Sequence, residues 1–164
     1  MRKPNIWRAA PPTAFWIGIL VFLDQWTKGL ALTAFKNARL PHAVTWFFNI
    51  VYTENAGISF GLLQNVRLGG INPLLIFIPA VMLILLIWWA RSQDPAERFG
   101  LMLVLSGALG NFWDRFSKNY VIDFIDVHWG SIHFPAFNLA DSWITLGVLV
   151  MLYGMVRQAR RPVG

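Results

Sequence analysis

Residues 71–90 run for twenty positions without a charged side chain. As a helix, that run is about 30 Å long, the thickness of a bilayer's hydrocarbon core. Pro73 falls where its missing N–H costs little, whereas Pro79 lies deep enough to predict a kink. Three further apolar segments follow the same pattern: 13–32, interrupted by Asp24 and Lys28, then 99–113 and 138–156. The 164 residues are 56% hydrophobic and only 13% charged, against about 25% charged in soluble domains. This composition excludes a disordered or nucleic-acid-wrapping chain. It predicts a single-domain membrane protein of the all-α class, with four transmembrane helices.

The net charge of +6 is placed as topology rather than as a nucleic-acid footprint. Arg2, Lys3 and Arg8 precede the first span, Arg91 and Arg98 lie between the second and third, and Arg157, Arg160 and Arg161 close the chain. The opposite side holds Lys36, Arg39, Arg67, Arg115 and Lys118. Eight against five puts both termini in the cytoplasm. Asp24 and Lys28 interrupt what would otherwise read as a signal-peptide core, so residues 1–32 read as a permanent helix. With no cysteine, the chain has no disulfide and no thiolate chemistry.

The outer loops are then 33–70 and 114–137. Residues 42–53 are rich in β-branched and aromatic side chains, which predicts strands, and Trp46, Phe47 and Phe48 suit a membrane interface. Residues 55–57 read as a turn, and 58–68 as a short interfacial helix. The third span is short, fifteen residues, so its Asn111 and Asp114 end is expected near the membrane boundary.

Only eight acidic residues exist, and an ionisable group in or beside a span is a functional candidate. Asp94 and Glu97 read as a solvated cluster with Arg91 and Arg98. Asp24 and Lys28, four apart, share a helix face and should pair, locking the first helix to its neighbours. Ser106 and Gly110 form a small-residue face for close helix contact. Asp114, next to Arg115, reads as a structurally paired carboxylate. Asp123 differs, because Tyr120–Asp126 flanks it with apolar residues, and desolvation raises a carboxyl pKa. Asn138 and Asp141 read as N-cap and N3 of the last helix, whose dipole favours an ionised Asp141. Two carboxyls in opposed environments are what a shared-proton acid/base pair needs.

Five motifs, spread from residue 24 to 142, add a family resemblance. They are Asp24-Gln25-Trp26-Thr27-Lys28, Asn55-Ala56-Gly57-Ile58-Ser59-Phe60, Ser106 to Asn111 with Asp114-Arg115, Val121-Ile122-Asp123-Phe124, and Phe134 to Ser142 with Asn138 and Asp141. In order and spacing the chain resembles bacterial lipoprotein signal peptidase (signal peptidase II). The resemblance implies an inner-membrane aspartic endopeptidase with four transmembrane helices, a small β-rich periplasmic cradle and a short interfacial helix. It implies cleavage of diacylglyceryl-prolipoproteins just before the lipidated cysteine, inhibition by globomycin, and no cofactor. Carried over by motif, Asp123 and Asp141 are the catalytic pair, and Asp24, Lys28, Asn55, Gly57, Asn111, Asp114, Arg115, Asn138 and Ala140 are supporting or substrate-contacting. Ser106 and Ile58 depart from the family pattern, where smaller residues are usual. Besides substrate, the expected partners are membrane lipids, and the protein is expected to act as a monomer.

Three other classes compete. His128 and His133 beside Asp123 and Asp126 would have to form a metal cluster, but their spacing matches no ligand motif. A proton- or cation-coupled transporter would use the intramembrane aspartates as a relay, which requires acids at several depths along one pathway. A scaffold subunit would leave the paired acids without a purpose.

Overall fold

The structure, a computed structural model, describes residues 10–35, 41–57, 73–92 and 94–159. Four helices, α1 (Ala10–Phe35), α2 (Leu74–Arg91), α3 (Pro95–Lys118) and α4 (Leu139–Ala159), carry a small antiparallel sheet at one end. Its strands are β1 (His42–Ala43), β2 (Phe48–Asn55), β3 (Val121–Trp129) and β4 (Ile132–His133), in the order β1-β2-β3-β4. The segment expected as an interfacial helix, 58–68, lies outside the described residues.

Three of the helices, α1 from Thr13, α2 and α4, are long and apolar enough to cross a membrane. Their outward faces expose large apolar side chains such as Phe22, Leu83 and Leu149. The third segment differs from its expectation. Instead of stopping near Trp113, α3 runs on through Asp114, Arg115 and Lys118, giving 24 residues and about 36 Å. It packs against all three other helices, and Gly100 to Gly107 are buried in an unbroken run. A helix covered by protein does not need the all-round apolar surface of a lipid-facing one. That explains why its end is charged without being short.

Local signals set its limits. Asp94 is the N-cap, accepting from the N–H groups of Ala96 (2.8 Å) and Glu97 (3.0 Å), with Pro95 behind it. Ser92 Oγ donates to Glu97 at 2.6 Å, so these two acids also serve to bound the helix. At the other end Asn119 takes the left-handed conformation (φ 67°), and its N–H donates to the Arg115 carbonyl.

The α3–α4 contact is closest where side chains are missing. A Cβ on Gly100 would stand 2.6 Å from the Gly147 carbonyl oxygen, and one on Gly107 would run into the Ala140 carbonyl. At Gly110, one turn further on, a Cβ would collide with the Asp24 carboxylate of α1 and stand 3.6 Å from the Ala140 Cβ. Gly110 thus allows the close helix contact expected of it, with α1, and Gly100 and Gly107 add a close contact with α4. Ser106 is fully buried and turns its hydroxyl to the Met102 carbonyl at 2.7 Å.

The strands forecast in 42–53 are present as β1 and β2, and residues 121–129, placed in a loop by the sequence, form the central strand β3. The β2–β3 register shifts between Ile50 and Thr53, a bulge. An extra residue in β2 reverses its side-chain parity. Asn49 and Asn55, six apart, can therefore serve Asp126 and Asp123, three apart on opposite faces of β3.

Gly107→Ala should lower stability by about 1–3 kcal/mol through overpacking at the helix contact. Gly29→Ala, where an added Cβ meets nothing within 4 Å, should be neutral or mildly stabilising. Thermal unfolding of the two variants in one detergent measures the difference.

Candidate functional site

At the sheet end of the bundle, ionised groups are buried together. Lys28 and Asp24 are fully buried, and Lys28 Nζ lies 2.8 Å from Asp24 Oδ2, the pairing that the i,i+4 spacing predicts. The same ammonium donates to Asn111 Oδ1 at 2.8 Å and lies 2.9 Å from Asp114 Oδ2. It thus makes two hydrogen bonds and one further ion pair, the last to an Asp114 oxygen that accepts no hydrogen bond. Asp114 pairs with Lys28 and with Lys118 (2.7 Å), not with the adjacent Arg115 as the sequence suggested. Neighbours in sequence point about 100° apart on a helix, whereas Lys118 is one turn on.

Helix α4 begins on this cluster. Asp24 Oδ1 accepts the N–H of Ala140 at 3.0 Å, so a carboxylate of α1 meets the positive end of α4. Asn138 Oδ1 accepts the Asp141 N–H at 3.0 Å, and Asp141 Oδ2 accepts the Asn138 N–H at 3.2 Å. This reciprocal cap is the arrangement expected of Asn138 and Asp141 as N-cap and N3. The other Asp141 oxygen accepts from Asn111 Nδ2 at 2.8 Å.

Asn138 also reaches the second carboxyl. Its Nδ2 donates to Asp123 Oδ1 at 2.7 Å and lies 3.3 Å from both Asn111 Oδ1 and the Ile122 carbonyl. The other Asp123 oxygen accepts from Asn55 Nδ2 at 3.0 Å. Burial pushes the Asp123 carboxyl up to about 6, against the opposing bond from Asn55, with the nearby Asp141 charge adding to the rise. This is the direction that its apolar flanks predict.

After β2, Asn55 Oδ1 accepts the Gly57 N–H at 3.1 Å, forming the turn expected at 55–57. The Gly57 carbonyl accepts from the buried Arg115 at 2.6 Å, and Arg115 also donates to the Asn111 carbonyl at 3.2 Å. Arg115 Nε is buried with no hydrogen-bond partner. All eleven positions named from the sequence are thus joined in one network of hydrogen bonds and ion pairs.

Two participants were missed. Gln25 Nε2 donates to Asp24 Oδ2 (3.1 Å) and to the Gly110 carbonyl (3.2 Å), a contact that no spacing rule reveals. Lys118 holds Asp114, and its i,i+4 spacing was a readable signal. Asp126 lies outside the network. It accepts from Asn49 Nδ2 at 2.8 Å and bonds His133 Nδ1 at 2.9 Å. Burial raises its pKa, but these two bonds outweigh that and hold it below the usual carboxylate range. His128 stacks on His133 with ring centroids 4.9 Å apart, so the histidines face each other and Asp126 rather than Asp123. Among the described residues no group of three or more His, Cys, Asp or Glu side chains could hold a metal ion.

The family model described as signal peptidase (SPase) II matches residues 16–157. The lipoprotein signal peptidase of Syntrophotalea carbinolica is 39% identical over 146 residues, covering 87% of this chain and 89% of its own. That of Burkholderia vietnamiensis is 37% identical over 172 residues, covering 98% and 96%. Two solved bacterial membrane enzyme structures, determined by the in meso method, share the fold. One has a TM-score of 0.81 at 26% identity, covering 95% of each chain. The other has a TM-score of 0.76 at 27% identity, covering 90% of this chain and 94% of its own. With the family model spanning most of its length and relatives this similar, the chain belongs to the signal peptidase II family.

Proposed function

We propose that this chain is a membrane aspartic endopeptidase that removes the signal peptide from diacylglyceryl-modified prolipoproteins, cutting just before the lipidated cysteine. The observation that carries the reading is the bridge at Asn138, whose side chain holds Asp123 and whose backbone N–H holds Asp141. Two carboxyls are thereby fixed beside one another on elements that treat charge differently. Asp123 sits on a strand where burial favours its proton. Asp141 sits at the positive end of α4, accepting two hydrogen bonds.

In this mechanism Asp141 takes a proton from water as the water oxygen attacks the scissile carbonyl carbon. Asp123 gives its proton to the carbonyl oxygen, so the tetrahedral intermediate is neutral. Asp141 then protonates the departing amide nitrogen, Asp123 recovers a proton from the intermediate's hydroxyl, and the C–N bond breaks. The products are a carboxylic acid and an amine, and both aspartates return to their starting states. Lys28, Asp24 and Asn111 hold the orientation of Asp141, while Asn55 holds that of Asp123. Arg115 holds the turn at Gly57 that follows Asn55.

We place the protein in the bacterial inner membrane with both termini cytoplasmic and α3 as a fourth span. The sheet end then faces the periplasm, where the acyl chains of the substrate hold its cysteine near the bilayer surface. The protein acts as a monomer and is inhibited by globomycin. A relay for transported protons needs acids at several depths. Here Asp24, Asp114, Asp123 and Asp141 belong to one cluster, which favours hydrolysis over the transporter reading.

Asp123→Asn and Asp141→Asn should each lower cleavage of a purified diacylglyceryl-prolipoprotein by at least about 10²–10⁴-fold while membrane insertion persists. Cleavage should be blocked by globomycin and unaffected by a chelator. Normal processing by either variant rejects the mechanism. Asp114→Asn, in contrast, should reduce stability and yield and leave partial activity, because it weakens a buried ion pair.

The pH profile follows from the Asp123 proton. The carboxyl holds its proton below about 6 and loses it as pH rises through that value. The alkaline arm of kcat/KM should therefore fall with a midpoint near 6. Asn55→Ala removes a donor that favours the ionised form, so it should move this arm to higher pH. An arm that stays in place or moves down assigns that ionisation to another group.

A further inference from the structure

We propose that the two hairpin tips of the sheet form one aromatic anchor, seated at the boundary of headgroups and acyl chains in the leaflet that the sheet faces. The first tip joins β1 to β2. The N–H groups of Val44 and Thr45 both donate to the Phe48 carbonyl, at 3.1 and 3.0 Å, closing a loop that turns Trp46 outward. The second joins β3 to β4 through Gly130 and Ser131. Trp129 pairs with Ile132, and Gly130 has φ +59°, which a two-residue hairpin requires at that position.

The tips are fused rather than merely adjacent. Trp46 and Trp129 pack edge to face with centroids 4.9 Å apart, and Phe47 packs on Trp46 at 5.0 Å. Beneath the rings, the His128 N–H donates to the Phe47 carbonyl at 2.9 Å. The second hairpin is tied down by the bond of His133 to Asp126 and its stacking on His128. A rigid platform therefore presents Trp46, Trp129, Ile132 and Phe134, all more than 60% exposed.

Its chemistry selects lipid. Residues 41–48 and 127–134 contain no Asp, Glu, Lys or Arg. The backbone of the tips is paired and the rings are amphipathic, the combination that favours the membrane interface over water or the hydrocarbon centre. The patch is also continuous with the lipid-facing surface. Phe35, the last residue of α1, lies 6.3 Å from the His42 ring, and Trp46 follows four residues later, at most about 14 Å of chain. Seating the tips fixes the height of β3, and with it Asp123, against the bilayer.

Because the chain has no cysteine, Ser131→Cys provides a unique labelling site at the exposed tip. A nitroxide there, in the full chain reconstituted into phosphatidylcholine vesicles, should collide several-fold more with oxygen than with a water-soluble nickel chelate, relative to a nitroxide in solution. The ratio should be the same with or without added salt or phosphatidylglycerol, and should fall to the aqueous value in Trp46→Ser/Trp129→Ser. An aqueous ratio in the parent protein overturns the anchor without recourse to the tryptophan variants. So does a ratio that collapses in salt, which assigns seating to charges elsewhere, or dipolar broadening between labels, which makes the tip a contact between two copies. Cleavage plays no part in this readout, so it is decided separately from the roles of Asp123 and Asp141.

Discussion

The buried ammonium of Lys28 is the interaction on which the site end of the molecule depends. An ion of this kind, taken from water, carries a desolvation cost of several kcal/mol unless its protons meet well-placed acceptors. Here Asp24 and Asn111 each accept a hydrogen bond at 2.8 Å, and the Asp114 carboxylate stands 2.9 Å away as an ion-pair partner. None of these groups can move alone, since each shift exposes a charge to an apolar surrounding. The cluster therefore fixes α1 against α3. Through Asp24 and the Ala140 N–H it also fixes where α4 begins.

The placement of α4 matters because Asp141 belongs to its first turn. Read as local structure, Asn138 and Asp141 are an ordinary helix cap, and the structure contains that cap. Capping does not exhaust the side chain, though, since each Asp141 oxygen accepts a single hydrogen bond in this network. The cap holds the side chain in one rotamer and leaves acceptor capacity for a water. The cap is thus compatible with the role proposed for Asp141.

What the sequence revealed follows the range of the interactions involved. The long apolar segments, the Asp24–Lys28 pair, the cap at Asn138 and the turn at Asn55–Gly57 are local, and each was legible from spacing. The strand character of 121–129 was hidden because Val121, Ile122 and Ile125 flank aspartates, which have low strand propensity. The length of α3 was hidden for a different reason. Its charged end is unlike a lipid-facing span, and only contact with three helices makes it tolerable. The Asp114 pairing with Lys28 was not readable either, since it joins residues 86 positions apart across two helices. The motif resemblance collected the eleven site positions that physical spacing alone would have left scattered.

The different surroundings of Asp123 and Asp141 also have a structural cause. On a single helix, two carboxyls would share one dipole and one dielectric setting, and their affinities for a proton would be hard to separate. Here one belongs to a strand with Val121 and Ile122 almost wholly buried beside it, and the other to a helix start whose backbone N–H groups donate to side-chain oxygens. The β2 bulge then lets Asn55 reach Asp123 while Asn49 serves Asp126 on the opposite face. Without that extra residue, both asparagines would fall on one face of the sheet, and one of the two buried carboxyls would lose its donor. A small irregularity in the sheet thus keeps Asp123 oriented by a neutral amide, which limits the rise in its proton affinity without abolishing it.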